Sequence, residues 1–158
     1  MKEIKLTKGL ITQVDDDMFE YLNQFKWHAK KDDRTYYVAR LSKVEEGHKT
    51  IRMHRQITNC PKGLEVDHID HNGLNNQKYN LRICNHSQNQ CNRKGNGSSK
   101  YLGVSIEKNG NYKRIRASIQ TNKKSINLGC FYTEKQAALA YDQKAKELHG
   151  EFANLNFK

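Results

Sequence analysis

The stretch DHIDHNGLNNQKYNL, Asp67 to Leu81, places two histidines and two aspartates within five residues and follows them with asparagines. A neutral imidazole is a base at neutral pH, because its unperturbed pKa is ~6.5. Carboxylate and amide oxygens are ligands for a hard divalent cation. Hydrolysis of a phosphodiester needs both: a group that takes the proton of an attacking water, and positive charge near the leaving 3′ oxygen. The competing reading is an Asn-rich polar turn holding a satisfied histidine. Neighbours on an extended strand point to opposite faces, so Asp67 and His68 share one pocket only where the chain bends or turns.

The flanking residues supply the elements that would position these groups. Asn72, Gly73, Asn75 and Asn76 furnish a long loop, and NLRIC, with its apolar-polar alternation, returns as a second strand. NHSQNQCNRK is polar throughout and starts a short helix with Asn85 as cap. The order is therefore strand, loop, strand, helix, with Asp67-His68 closing the first strand and Asn89 on the helix.

That order resembles the HNH nucleases, which use the ββα-metal fold, and in particular those of phage and group I intron homing endonucleases. The residues carrying the resemblance are MHRQI at Met53 to Ile57, DHIDHNGLNN at Asp67 to Asn76, NLRI at Asn80 to Ile83 and HSQN at His86 to Asn89. The resemblance implies that His68 is the general base. It implies that Asp67 and Asn89 hold one divalent cation, Mg2+ with Mn2+ as the alternative, bridging the scissile phosphate and the 3′ oxygen. Asn80 would be the central asparagine that pins the loop and so orients His68. Asn89 stands where many relatives have a metal-binding histidine, and an oxygen ligand there suits Mg2+ better than a soft metal.

The family usually has Gly where this chain has His71, which implies a positive φ at that position. We read His71 as a solvated loop residue, with a second base or phosphate contact as the alternative. His86 is read as a helix-start residue. Arg55, Arg82 and Arg93 are candidates for phosphate contact, weighed against a solvated surface.

The 158 residues carry 28 Lys and Arg against 17 Asp and Glu, a formal charge of +11 that points to a polyanionic partner. Residues 1–92 hold 15 basic and 12 acidic side chains, and residues 93–158 hold 13 and 5, so the later part has the stronger electrostatic footprint. RKGNGSSK, residues 93–100, reads as a linker between a nuclease part at 1–92 and a second part at 101–158. In the first part, EIKL, LITQV, RTYYVARL and KTIRMH read as strands, and DDDMFEYLNQFKW as a helix with Met18, Leu22 and Phe25 on one face. His28 and His48 are taken as surface or packing residues. Cys60, Cys84, Cys91 and Cys130 form no C-x-x-C pair, which removes sequence support for a four-thiolate zinc site. There is no signal-like segment and no apolar run near the ~20 residues needed to span a bilayer, so the expectation is a cytosolic chain with reduced thiols and no membrane partner.

In the second part LGVSIE, YKRIRASIQ and KSINLGCF read as three strands, and TEKQAALAYDQKAKELHG as a helix with a Thr133–Gln136 capping box and a stop at Gly150. Ala137, Ala138, Tyr141, Ala145 and Leu148 form its small-residue face. With YLGV, IRASI, LGCF and the closing HGEFANLNF, residues 101–157 resemble the plant APETALA, or ethylene-response-factor, DNA-binding domain. That family fold is a three-stranded antiparallel sheet backed by one helix, with the exposed sheet face in the major groove. Alternation then points Ile115, Ala117, Ile119, Ile126 and Leu128 inward, and Arg114, Arg116, Ser118, Gln120, Ser125 and Asn127 outward toward base edges. Lys113, Lys123 and Lys124 are expected on phosphates. Leu102 replaces an Arg of the plant domains, and Ile115 and Asn127 stand at Trp positions, so the docking mode carries over and the plant target sequence does not.

The expected class is α+β: a ββα-metal nuclease domain, then a small three-stranded antiparallel sheet with one helix. The expected function is a metal-dependent, site-specific endonuclease acting on double-stranded DNA in a phage-infected bacterial cell or similar compartment. As a monomer with one metal site it would nick one strand; a double-strand break would need a dimer or a second binding event. The alternatives are a DNA-binding regulator with an inactive HNH fold and a structural zinc module.

Overall fold

A computed structural model describes residues 1–7, 9–32, 35–44, 47–91, 98–110, 112–121 and 124–157. It divides into two compact units, Met1–His86 and Ser87–Lys158. Among the described residues the strands form four small antiparallel sheets, which with a few helices make a mixed α/β chain.

In the first unit β1 (Lys2–Lys5) pairs with β2 (Ile11–Val14), and helix α1 (Asp16–Asn23) follows. The spacing predicts apolar contacts as far as Phe25, but the helix ends at Asn23. Phe25 packs edge-on against Trp27, whose indole Nε1 donates to the Leu22 carbonyl at 2.8 Å. The same carbonyl accepts the Phe25 N–H at 3.2 Å, so the helix end is closed by both backbone and side chain. Ile4, Leu6, Val14, Leu22, Trp27, Val38 and Met53 form the buried core.

Strands β3 (His28–Lys31), β4 (Tyr36–Val44) and β5 (Gly47–Arg52) make the next sheet, in the order β3-β4-β5. One expectation fails here. KTIRMH does not stay extended to His54: the strand stops at Arg52, and Met53–Thr58 is helix α2, closed by Asn59 at φ 48°. Met53 and His54 are buried as the first turn of α2, so their burial follows a helical period rather than an alternating one.

Next come β6 (Glu65–His68), a 3-10 turn at Lys78–Asn80, β7 (Leu81–Cys84) and helix α3 (His86–Cys91). The β6–β7 ladder pairs Asp67 with Arg82 and His68 with Leu81. The loop between them is stitched to β2: the Gln13 N–H donates to Leu74 O at 2.9 Å and the Asn76 N–H to Gln13 O at 2.8 Å. It is also drawn against β4, since a Cβ on Gly73 would lie 2.3 Å from the Tyr36 carbonyl oxygen and 2.8 Å from Tyr37 Cδ1.

The second unit holds β8 (Val104–Asn109), β9 (Tyr112–Thr121) and β10 (Lys124–Phe131), in the order β10-β9-β8, and helix α4 (Glu134–His149). Both halves of the Thr133–Gln136 capping box form, and Gly150 takes φ 53° after the helix. Val104, Ile115, Ala117, Ala137 and Ala138 are the core, with small residues admitting the helix close to the sheet. The buried Asp142 fastens the chain end: its oxygens accept from Asn156 N at 2.8 Å, Asn156 Nδ2 at 3.0 Å and Phe157 N at 2.9 Å. Gly103 is fixed both by its φ of +69° and by space, because an added Cβ would lie 1.9 Å from Tyr141 Cδ2. Gly103→Ala should therefore lower the unfolding free energy by ~1–3 kcal/mol through overpacking and backbone strain. Urea unfolding of the full chain checks this; an unchanged midpoint would mean that Tyr141 moves aside at no cost.

Candidate active site

His68 ends β6 and is 5% exposed, and Asp67 beside it is 6% exposed, so neither faces bulk water. They lie one residue apart on a strand and have different surroundings. Asp67 Oδ2 accepts from Arg82 Nη2 at 2.7 Å and Nε at 2.9 Å across the ladder. The His68 ring meets Asn76, His54 and Tyr37: Nε2 is 3.4 Å from Asn76 Oδ1, and the ring centroids are 5.1 Å from His54 and 5.7 Å from Tyr37.

The loop that follows is organised by Asp70 and Asn80. Asn80 Nδ2 donates to Asp70 Oδ1 and to Asn75 O, both at 2.9 Å, while Asn80 Oδ1 accepts the Asp70 N–H at 3.0 Å. Asp70 also accepts from the Asn72 N–H and from Asn75 Nδ2, both at 2.8 Å. Burial works against the charged Asp70 carboxyl, but these donors and the nearby His68 outweigh it and hold its pKa below the usual carboxylate value. His71 adopts φ 63°, the left-handed conformation implied at that position, and its N–H donates to His68 O at 2.9 Å.

Burial lowers the His68 pKa, with the Asn76 bond and the carboxylates of Asp70 and Asp67 opposing it. His54 is pushed further: burial first, then the charges of His68, Arg52 and Arg55, bring it to about 3. Its Nδ1 is buried with no hydrogen-bond partner among the described residues. A neutral second imidazole is thus wedged edge-on against the first.

Two of the arginines expected on phosphate are engaged within the unit. Arg55 donates from Nη1 to Leu64 O at 2.6 Å and from Nη2 to Pro61 O at 3.0 Å and Cys60 O at 3.2 Å, tying down the turn before β6. Arg82 is the partner of Asp67 and is only 15% exposed. Arg93 lies outside the described residues. His86 starts α3 with Nδ1 2.9 Å from Glu65 Oε1, and Asn89 lies on the same helix, beyond the division between the units. Thr12 and Tyr37 were not singled out from sequence, while Asn76 was read only as a loop residue and His54 only as part of MHRQI. The HR of MHRQI was the signal available for His54, and the second asparagine of the NN pair for Asn76.

In the second unit Ile115, Ala117 and Ile119 are buried, while Arg114, Arg116, Ser118 and Gln120 alternate with them on the more open face. Ser125 stands opposite Gln120 and Asn127 opposite Ser118, so the outward residues of β9 and β10 are neighbours. Arg116 pairs with Glu107 at 3.0 Å, and the Arg114 guanidinium lies 5.6 Å from the Tyr112 ring centroid. Asn127 Oδ1 accepts the Gly129 N–H at 3.0 Å across a bulge, so its side chain shapes the strand as well. Lys124 is exposed. Lys113 has the parity of the inward residues and pairs with Glu134 at 3.5 Å. Lys123 lies outside the described residues.

The first unit thus gathers a strand-end histidine, the carboxylate beside it and a loop tied by asparagine. Residues 59–91 match the HNH endonuclease family. An uncharacterized HNH endonuclease of Acanthamoeba polyphaga mimivirus is 34% identical over 149 residues, covering 94% of this chain and 76% of that protein. The chain belongs to the HNH endonuclease family and is a nuclease. A shorter similarity, 44% over 62 residues, links it to APETALA2-like protein 2 of Oryza sativa, covering 39% of this chain and 14% of that protein. No solved structure matches significantly. HNH nucleases act on DNA and generally depend on a divalent metal, and among the described residues no helix is long and apolar enough to cross a membrane.

The folded pKa of His54 lies below its unfolded value, so between the two the unfolded chain binds more protons. The stability of the first unit should be fully present above about pH 6.5 and should fall as the pH drops toward about 3. His68 contributes with the same sign. Thermal melts across that window should show the fall, and His54→Phe should flatten it. A wild-type melting temperature independent of pH would contradict the burial of these imidazoles.

Proposed function

We propose that the chain is a site-specific DNA endonuclease that hydrolyses a phosphodiester with His68 as general base and one divalent cation held by Asp67 and Asn89. The observation that carries this reading is the placement of His68 beside Asp67 at the end of β6, with the loop behind them tied by Asn80. In this reading β6, β7 and α3 are the ββα-metal unit. His68 takes a proton from water as the water oxygen bonds to phosphorus, and the bond from phosphorus to the 3′ oxygen breaks. Asn80 orients rather than reacts.

The donor set fits a hard cation, since Asp67 offers a carboxylate and Asn89 an amide oxygen. Mg2+ or Mn2+ there would offset the charge developing on the phosphate and the leaving oxygen. Arg82 keeps the Asp67 carboxylate in a fixed orientation.

We further propose that residues 1–92 form the nuclease domain, 93–100 a linker and 101–158 a DNA-binding domain of the APETALA type. The +8 net charge of residues 93–158 and the similarity to the rice proteins support this. Arg114, Arg116, Ser118, Gln120, Ser125 and Asn127 would then face the major groove, with Lys124 on phosphate. The protein would nick one strand as a monomer in the DNA-containing compartment of its host, in the manner of a homing endonuclease.

Plasmid nicking in Mg2+ tests the catalytic part. EDTA should abolish cleavage, and His68→Ala should slow it by ~10²–10⁴ while DNA binding persists. Cleavage that survives His68→Ala unchanged would overturn the assignment of the base. In the second unit, Arg116→Gln should cost ~1–3 kcal/mol of affinity if Arg116 reads a base, and should relax sequence preference at one position. A uniform loss across sequences with a shallower salt dependence would make Arg116 a phosphate contact instead.

A further inference from the structure

The surroundings of His68 determine which of its ring nitrogens carries the proton. Thr12 Oγ1, on β2, donates to Leu74 O at 2.7 Å. A hydroxyl has one proton, so toward Asn76 this oxygen can only accept. The Asn76 atom 2.9 Å from it must therefore be the amide nitrogen, and the second contact of that nitrogen, 3.3 Å to Gly73 O, is again to an acceptor. The Asn76 amide is thus oriented by its own partners. Its oxygen faces Nε2 of His68 at 3.4 Å, and an amide oxygen only accepts. Thr12 and Asn76 are 0% exposed and His68 is 5% exposed, so bulk water does not compete for these bonds.

We propose that Thr12 and Asn76 are positioning residues that fix His68 in the Nε2–H form, so that Nδ1 holds the lone pair that accepts the proton of water. The proposal rests on the reading of His68 as the base. It assigns part of the site to β2, an element outside the family's sequence motif, and it gives a reason for the stitching of the loop to Gln13 at Leu74 and at Asn76 itself. A neutral imidazole has a single N–H, so a hydrogen bond taken at Nε2 decides the state of Nδ1 as well.

The test uses the full chain labelled with ¹⁵N-histidine. The signals of His68 are assigned by their disappearance in His68→Ala. The wild type should show Nε2 protonated and Nδ1 bare. Thr12→Val, which removes the hydroxyl and nearly keeps its shape, should give a mixed tautomer signature. It should lower kcat by ~10–100-fold with KM little changed, and Thr12→Ser should restore both. Asn76→Ala should mix the tautomers in the same way.

A wild-type spectrum with Nδ1 protonated overturns the proposal whatever the variants do. So does Thr12→Val with an unchanged spectrum and rate while His68→Ala is inactive; in that case the base assignment stands and the positioning role falls. If His68→Ala cleaves at the wild-type rate, the base assignment itself fails, whatever the spectrum shows.

Discussion

The clamp between Asn80 and the Asp70–Asn75 loop is the constraint on which the site of the first unit depends. One amide closes three bonds, to Asp70 Oδ1, to Asn75 O and from the Asp70 N–H. Without it the loop that leaves His68 is held to β7 only by the backbone bond from the Ile69 N–H to Asn80 O, 3.0 Å, and by its bonds to Gln13. The ladder from Asp67 to Arg82 and from His68 to Leu81 would then lose the side-chain bonds that brace the end where the histidine sits. A buried polar group left unpaired costs ~1–3 kcal/mol, and a satisfied hydrogen bond gains less than that on average. Such a network therefore adds little net stability and strongly penalises any other arrangement.

Among the described residues, seven buried polar ones, Thr12, His54, Asp67, His68, Asn75, Asn76 and Asn80, lie in the first unit, and each but His54 makes a side-chain hydrogen bond given above. His54 stands apart because its Nδ1 has no partner among the described residues and burial keeps it neutral. A charged imidazole at that place would repel a proton arriving on His68. A neutral one packs against it and against Tyr37 as an aromatic edge. Depressing the His54 pKa is therefore compatible with His68 working as a base, and both effects come from the same dry wall.

The periodic parts of the chain were legible in the sequence. Alternation in KRIRASIQ identified the buried Ile115, Ala117 and Ile119, and Thr133 with Gln136 marked the start of α4, because strand pleat and helix cap are local rules. Asp67, His68, Asn80 and Asn89 were named through the resemblance of their motifs to a family, and that resemblance does not give their surroundings. Long-range partners were not legible. KTIRMH reads as a strand by composition, yet Met53 and His54 are buried in the first turn of a helix. Arg55 and Arg82 look like surface cations until Leu64, Pro61 and Asp67 are brought to them by folding. Thr12 stands more than fifty residues from the asparagine it orients, and Asp142 looks like a solvated helix residue until the chain end reaches it.

His71 shows how strain and function are balanced in this loop. A non-glycine residue at φ 63° costs more than glycine would, and histidine is among the side chains that tolerate the conformation. The backbone there must reverse so that the His71 N–H can reach His68 O, and Asn72 follows with its N–H on Asp70. The turn is thus held from both sides by the residue that ends the strand and by the carboxylate that Asn80 clamps. The local cost is offset by contacts that would exist only if the turn were made, so the side chain at position 71 can vary from glycine without releasing the geometry of His68.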